Sequence, residues 1–263
     1  MSTSFIGLDL AWSLRNNSAA VVLQTGQTAV SWSAHRERLG DNADIVAFIR
    51  DTAGDGSALV AIDAPLVVPN DEGARPVDRQ ITHLFGRFGA GCYPAYRKRP
   101  GGCSRGPDLV RVLEPLGFVQ DPYIQPSAEV RTVFEVYPHP AMLALFGLTQ
   151  TLKYKARPHR SLLLRIQELD RLRTSLLSLQ DPAIHDVPST VRYTHIEALR
   201  GAQRKHYEDL LDAAVCAYTA AYAWFHGPAG YRVYGDTTNG YILTPMTNWL
   251  RVLLGERADT ASA

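Results

Sequence analysis

The sequence has little of several features that would assign it to a specialised class of protein. Its 263 residues include only three cysteines, and none of them form a CxxC pair, so no disulfide framework is predicted. No apolar run approaches the roughly 20 residues needed to cross a bilayer. The first residues lack the basic and then apolar pattern of a signal peptide. We therefore expect a cytoplasmic protein without a membrane partner.

An excess of one charge sign is also missing, since the formal net charge is +1. Any attraction to a polyanion must therefore come from local basic segments. The hydrophobic fraction of 46% is enough to bury a sizeable core. We predict one domain over residues 1–250, with residues 67–130 as an insertion or lid that has little regular structure apart from a helical pattern near residues 79–88. Residues 256–263 are expected to form a disordered tail.

The order of predicted elements indicates an α/β fold. Strands near residues 5–12, 19–23 and 28–32, joined by short turns, predict an antiparallel meander. A helix capped by Asp41 and a buried strand at residues 59–63 follow. After the insertion come a strand at residues 131–137 and two long helices. This order predicts a ribonuclease H-like mixed five-stranded sheet, with helices on both faces and a large insertion after the fourth strand.

Single carboxylates interrupt several of these apolar segments. Asp9, Asp63 and Glu135 each stand in an apolar strand, and Asp212 lies on a late helix next to small residues. Burying an unpaired charge is costly, and crowded carboxylates repel one another unless a cation lies among them. Oxygen ligands of this kind suit Mg²⁺ or Mn²⁺. We expect these four acids to be both metal ligands and catalytic residues; whether Asp209 joins or replaces Asp212 stays open.

Each acid also has a simpler structural interpretation. Asp63 can cap the loop after its strand, and Asp9 can serve as a structural hydrogen-bonding group. Glu135 can pair with a basic residue such as Lys153 or Arg157. Asp209 can simply favour the start of a helix.

Basic residues are concentrated in two segments. One lies in the insertion beside Tyr93 and Tyr96, and the other follows the Glu135 strand. Lysine and arginine can hold phosphates while aromatic rings stack on bases, although a solvated loop would have the same composition. We expect Lys155 to act in catalysis. The residues expected to bind substrate are Arg97, Lys98, Arg99, Lys153 and Arg157.

Six segments together resemble the proteins grouped as domain of unknown function 429. They are Gly7-Leu8-Asp9-Leu10-Ala11-Trp12, Ala61-Ile62-Asp63-Ala64-Pro65, Arg75-Pro76-Val77-Asp78-Arg79, Glu135-Val136-Tyr137-Pro138, Tyr154-Lys155 and Leu211-Asp212-Ala213-Ala214. The resemblance implies a ribonuclease H-like nuclease whose acidic set is Asp9, Asp63, Glu135 and Asp212. The family often has a cysteine where Val77 stands, so no role for that cysteine carries over. We also expect Arg79 to contact substrate.

Three functions remain open. The first is a metal-dependent nuclease that uses two ions to cleave a phosphodiester, with nucleic acid or a smaller phosphodiester as partner. The second is an ATP-dependent phosphotransferase of the actin and sugar-kinase type. That class has a glycine-rich phosphate hairpin after its first strand, whereas residues 13–17 contain no glycine. The third is a non-catalytic nucleic-acid-binding protein. The choice between DNA, RNA and a small nucleotide stays open, as does the oligomeric state.

Overall fold

The computed structural model describes residues 2–13, 15–100 and 102–256. Within these ranges the chain forms nine strands and eight α-helices. The strands are β1 (Ser4–Asp9), β2 (Ser18–Thr25), β3 (Ala29–Leu39), β4 (Ala58–Ile62), β5 (Val119–Gln120), β6 (Arg131–Glu135), β7 (Ala183–His185), β8 (Tyr231–Asp236) and β9 (Gly240–Pro245). The helices are α1 (Asn42–Ala53), α2 (Pro76–Phe85), α3 (Arg105–Leu113), α4 (Pro138–Leu145), α5 (Leu162–Leu177), α6 (Ser189–Arg192), α7 (Gly201–His226) and α8 (Asn248–Leu253).

The main sheet is mixed and mostly parallel, with seven described strands in the order β5-β6-β4-β1-β2-β3-β7. Strands β1, β2 and β3 form the predicted antiparallel meander, and β4 runs parallel to β1. This confirms a mixed α/β protein. The expected number of five strands was too low, because β5 and β7 join the edges with only two and three residues. Strands β8 and β9 form a separate hairpin.

Alternating side chains divide the core into two apolar layers on opposite faces of the sheet. On one face, Ile6 and Leu8 of β1 pack with residues of α1 and α3. On the other face, Phe5 of β1 packs with residues of α2, α4, α5 and α7. The period-two pattern of β1 predicted this division, because successive strand residues point to opposite faces. The face with Phe5 is the one from which Asp9 projects.

Helix α7 packs against β1 closely enough for the two backbones to touch. A Cβ atom added to Gly7 would lie 2.0 Å from the Ala213 carbonyl oxygen and 2.2 Å from the Ala217 nitrogen. Residues 213 and 214 are alanines and are buried. Only glycine on the strand and small residues on the helix permit this distance. The contact fixes the position of Asp212, the residue before Ala213.

The insertion is more regular than its composition indicated. Residues 67–130 contain α2, α3 and β5, and Val77, Ile81 and Phe85 of α2 are buried in the core. The helical pattern predicted near residues 79–88 corresponds to α2, but the expectation of little other regular structure was wrong, since α3 and β5 also form. The apolar face of α2 packs against the hairpin of β8 and β9. Whether the segment acts as a lid stays a prediction. The tail predicted to be disordered lies, from residue 257 onward, outside the described residues.

None of the helices in the described ranges combines the length and the apolar character required to cross a bilayer.

Replacing Gly7 by alanine tests the contact between α7 and β1. The added methyl group overpacks the interface, and we expect a loss of about 1–3 kcal/mol in the free energy of unfolding. The control is Gly86→Ala, where a Cβ would meet only Thr82 Cγ2 at 3.7 Å. That change should stay within about 0.5 kcal/mol of wild type. Urea denaturation measures both, and equal midpoints for the two variants would contradict the close packing.

Candidate functional site

Two carboxylates lie side by side where β1 and β4 end. In the parallel register Leu8 pairs with Ile62, so Asp9 and Asp63 follow at equivalent positions. The Asp63 amide donates to the Leu8 carbonyl oxygen at 2.8 Å, which holds the two strand ends together. Both side chains line a cavity of about 410 Å³. The carboxyl ends of neighbouring parallel strands are the usual place for a site in an α/β sheet.

Helix α7 adds two further acids to this position. Asp209 and Asp212 lie three positions apart in the sequence and therefore share one face of the helix. Both are buried, with exposed fractions of 6% and 1%. One carboxylate oxygen from each of Asp9, Asp209 and Asp212 lies within 4.8 Å of the others. The sequence left open whether Asp209 joins or replaces Asp212, and the structure brings both to Asp9.

Two lysines and a tyrosine contact the acids of α7. Lys155 forms an ion pair with Asp212, and Lys205 forms one with Asp209. The Tyr154 hydroxyl donates to Asp212 Oδ1 at 2.5 Å. Four carboxylates, those of Asp9, Asp63, Asp209 and Asp212, are therefore accompanied by two ammonium groups. When all four are ionised, the cluster has an excess of two negative charges.

Burial and this excess of negative charge together raise the pKa of the strand acids. Burial, together with Asp209, Asp212 and Asp63, raises the pKa of Asp9 well above its ordinary value, although Lys155 acts against the shift. Burial and Asp212 raise the pKa of Asp63 to about 7. Burial disfavours the Lys155 ammonium, yet Asp212, Asp9 and Asp209 raise its pKa well above the ordinary value. The carboxylates at this position would therefore stabilise an additional cation.

Glu135 lies at the floor of the same cavity but has a different partner. It pairs in register with Ile62, one position short of Asp63. Its carboxylate accepts two bonds from the Arg75 guanidinium, at 2.6 and 2.9 Å, and a third from the Leu66 amide at 2.9 Å. The pairing with a basic residue that was considered for Glu135 is thus present, with Arg75 as the partner.

Arg75 is itself buried and links the insertion to the sheet. Besides Glu135 it contacts Asp78, with 2.8 Å between Nη2 and Oδ1. Although burial opposes its charge, Glu135 and Asp78 raise the pKa of Arg75 above its ordinary value. Asp78 Oδ2 also accepts a bond from the Ala95 amide at 3.0 Å. Asp78 therefore joins the floor of the cavity to the loop that follows α2.

The basic residues expected to bind substrate fall into two groups. Arg157 lines the cavity, and the Arg99 guanidinium lies 4.7 Å from the Trp12 ring centre at its rim. The structure does not place the others on the cavity lining. Arg97 and Lys98 pair with Asp71, at 2.6 and 3.4 Å. The remaining two, which are exposed, are Arg79 and Lys153.

Three residues of the site, Tyr154, Arg75 and Lys205, had not been singled out from the sequence. Tyr154 and Arg75 lie in two of the segments that resemble the family, and this location could have marked both as site residues. Lys205 lies four residues before Asp209 on α7, a spacing that permits an ion pair on one helix face. The sequence offers His139 as a base or ligand, with a satisfied loop histidine as the simpler interpretation. In the structure His139 lines the cavity, and its Nδ1 is buried without a hydrogen-bond partner among the described residues. Burial lowers the pKa of His139 to about 4, so the ring is neutral at pH 7.

The donor set fits a hard divalent cation. Three carboxylates within reach of one point supply the oxygen ligands that Mg²⁺ and Mn²⁺ prefer. The excess negative charge of the four-acid cluster has the sign and size that one divalent ion neutralises. Asp9, Asp209 and Asp212 are the residues that would hold the ion.

Comparison with known proteins identifies one family. A family model described as "Protein of unknown function (DUF429)" matches residues 7–238. No curated protein matches the chain, and no solved structure matches it.

Asp63→Asn tests the raised pKa of Asp63 through the dependence of stability on pH. In the unfolded chain the carboxyl loses its proton near pH 4, whereas in the folded protein it keeps the proton to about pH 7. The wild type should therefore lose stability as the pH rises from 4 to 7. The variant lacks the part of this loss that Asp63 contributes. Because one pKa unit corresponds to about 1.4 kcal/mol, we expect the variant to gain up to about 4 kcal/mol relative to wild type between pH 4 and pH 8.

Urea denaturation at both pH values measures the difference. The exposed Asp55→Asn change serves as control and should leave the pH profile unaltered. Parallel profiles for wild type and Asp63→Asn would show that Asp63 has no raised pKa.

Arg75→Met tests the buried ion network at the cavity floor. The change leaves Glu135 and Asp78 without their cation, and breaking a buried pair in this way costs about 3–5 kcal/mol. Arg97→Met is the matched control, because Arg97 and its partner Asp71 have exposed fractions of 60% and 48%. The control should cost less than about 1 kcal/mol. If both arginine variants melt at the same temperature, Arg75 does not stabilise the fold.

Proposed function

We propose that the chain, which belongs to the DUF429 family of proteins of unknown function, is a metal-dependent nuclease that hydrolyses phosphodiester bonds. The observation that supports this most strongly is the meeting of Asp9, Asp209 and Asp212 at one point. Acids from a central strand and a late helix, far apart in sequence, are brought together only by the fold. Their neighbours leave them with an excess of negative charge.

The proposal extends to the fold. The central strands β6-β4-β1-β2-β3 support a ribonuclease H-like arrangement, because β2 alone runs in the direction opposite to the other four strands. The acids lie at the ends of β1 and β4, where α7 crosses the sheet. This strand order and the position of these acids support the proposed ribonuclease H-like nuclease.

Hydrolysis adds water to phosphorus and breaks one phosphorus–oxygen ester bond, giving a phosphomonoester and a free hydroxyl group. A bound Mg²⁺ or Mn²⁺ would supply Lewis acidity and lower the pKa of a bound water. Lys155, with an exposed fraction of 27%, can contact a phosphate oxygen at the edge of the cluster. Asp63 lies beside Asp9 at the end of the neighbouring strand and is positioned to accept the proton of the attacking water.

A second cavity on the other side of Asp9 supports a substrate that extends past the acids. It has a volume of about 300 Å³ and shares Asp9 with the first cavity. Its lining includes the basic side chains of Arg15 and Lys205 and the amides of Asn16 and Asn17. When a phosphate of the substrate is bound among the acids, the parts of the substrate on its two sides would lie one in each cavity.

The direct test incubates labelled single- and double-stranded DNA, RNA and hybrid duplexes with Mg²⁺ or Mn²⁺. Wild type should cleave at least one of these substrates, and EDTA should abolish the cleavage. Asp9→Asn and Asp212→Asn should each lower the rate by about 100-fold or more, because both ligate the ion in the proposal. Asp55→Asn, an exposed acid outside the site, should cleave as wild type does.

Thermal denaturation supplies a readout that is independent of activity. Mg²⁺ or Mn²⁺ should raise the melting temperature of wild type by mass action, and this rise should vanish in Asp212→Asn. If no substrate is cleaved and metal leaves the melting curve unchanged, the proposal is wrong. ATP hydrolysis without phosphodiester cleavage would favour the phosphotransferase.

A further inference from the structure

The outer part of the Asp9 cavity is aromatic, whereas its inner end is acidic. Trp12, Tyr93 and Tyr137 line the cavity together with Asp9 and Asp63. Its volume of about 410 Å³ falls within the range of small-molecule sites, roughly 300–1,000 Å³. A flat apolar group fits the outer part, and a group associated with a cation fits the inner end.

Tyr93 is unusually exposed for a tyrosine in a cavity lining. Its exposed fraction is 60%, so the ring does not serve the core. Two guanidinium groups lie near it, those of Arg99 at 5.9 Å and Arg157 at 5.7 Å from the ring centre. Arg99 also lies 4.7 Å from the ring centre of Trp12 and so bridges the two aromatic residues. Aromatic rings and guanidinium planes side by side form a surface on which a nucleobase stacks.

Positively charged residues also lie at the rim of this cavity. Arg97 and Lys98 are not among them and pair with Asp71. Arg99, Arg157 and Lys155 instead lie at or beside the cavity. Positive charge is therefore concentrated where a single nucleotide would place its phosphate and base.

We propose that Trp12, Tyr93, Arg99 and Arg157 form a subsite for the base of one unpaired nucleotide. The inference rests on the proposed function, which places a phosphate of that nucleotide at the Asp9 end of the cavity. A base inside a duplex is stacked and paired on its other edges, so it cannot enter without first leaving the helix. The ligand is a free nucleotide or an unpaired nucleotide of a strand.

Calorimetry on the full chain in the presence of Mg²⁺ tests the base subsite without turnover, because none of the probes contains a phosphodiester bond. The probes are adenosine 5′-monophosphate, ribose 5-phosphate, which lacks the base, and inorganic phosphate. Stacking of one base contributes about 1–3 kcal/mol, so the nucleotide should bind about 5- to 150-fold more tightly than ribose 5-phosphate. Equal affinity for these two probes would overturn the inference.

Variants at Tyr93 locate the effect. Tyr93→Ala should remove most of the preference for the nucleotide, and Tyr93→Phe, which keeps the ring, should retain it. Tyr123→Ala is the matched control, because Tyr123 has an exposed fraction of 58% and lies outside the cavity. An unchanged preference in Tyr93→Ala would place the base elsewhere and contradict the subsite.

Competition against the nucleotide distinguishes the two sources of the ligand. If a single-stranded oligonucleotide displaces the bound adenosine 5′-monophosphate, the ligand is an unpaired nucleotide of a strand. If the oligonucleotide does not displace it, the ligand is a free nucleotide. A blunt duplex of the same sequence should compete at least about tenfold less well than the single strand, because its bases stay paired. A duplex that competes equally would refute the inference.

The two proposals fail separately. Base-dependent binding without any cleavage would refute the nuclease and leave the subsite. Cleavage without a binding preference for the base would refute the subsite and leave the nuclease.

Discussion

The backbone contact between α7 and β1 determines where the chemistry of this protein can occur. Because Gly7 has no side chain, the helix lies directly on the central strand, and a Cβ there would stand 2.0 Å from the Ala213 carbonyl oxygen. Asp212 precedes Ala213 and Asp209 lies one turn earlier, so both acids are carried to the end of β1. A helix held one side-chain layer farther out would leave Asp9 with Asp63 alone.

The charge balance of the site follows from this packing. Asp209 and Asp212 are buried, yet each has a lysine at its carboxylate, and Tyr154 donates to Asp212 as well. Asp9 and Asp63 have no ion-pair partner of their own among the described residues, and burial together with the neighbouring carboxylates raises the pKa of both. Proton uptake and cation binding are therefore competing ways to relieve the same repulsion.

Local patterns were enough to predict the elements that position the site. Alternation assigned Ile6 and Leu8 to one face of β1 and Asp9 to the other, and Asp41 caps α1 as expected. The partner of Glu135 was not predictable in this way, because Arg75 lies 60 residues earlier and becomes a neighbour only after the insertion folds back. The same reason applies to Arg97, since its pairing with Asp71 depends on the path of a loop. Strands of two or three residues leave no periodic pattern in the sequence, which explains why the edge strands β5 and β7 were not predicted.

The bonds of Asp78 have a consequence for how a ligand would be received. Its carboxylate contacts Arg75 at the cavity floor and also accepts the Ala95 amide, two residues beyond Tyr93. The loop with the exposed ring is thus tied, through one acid and one arginine, to the central sheet. Preorganisation of this kind lowers the conformational entropy lost on association. An incoming group would meet a surface that is already ordered, and its affinity would reflect the contacts themselves.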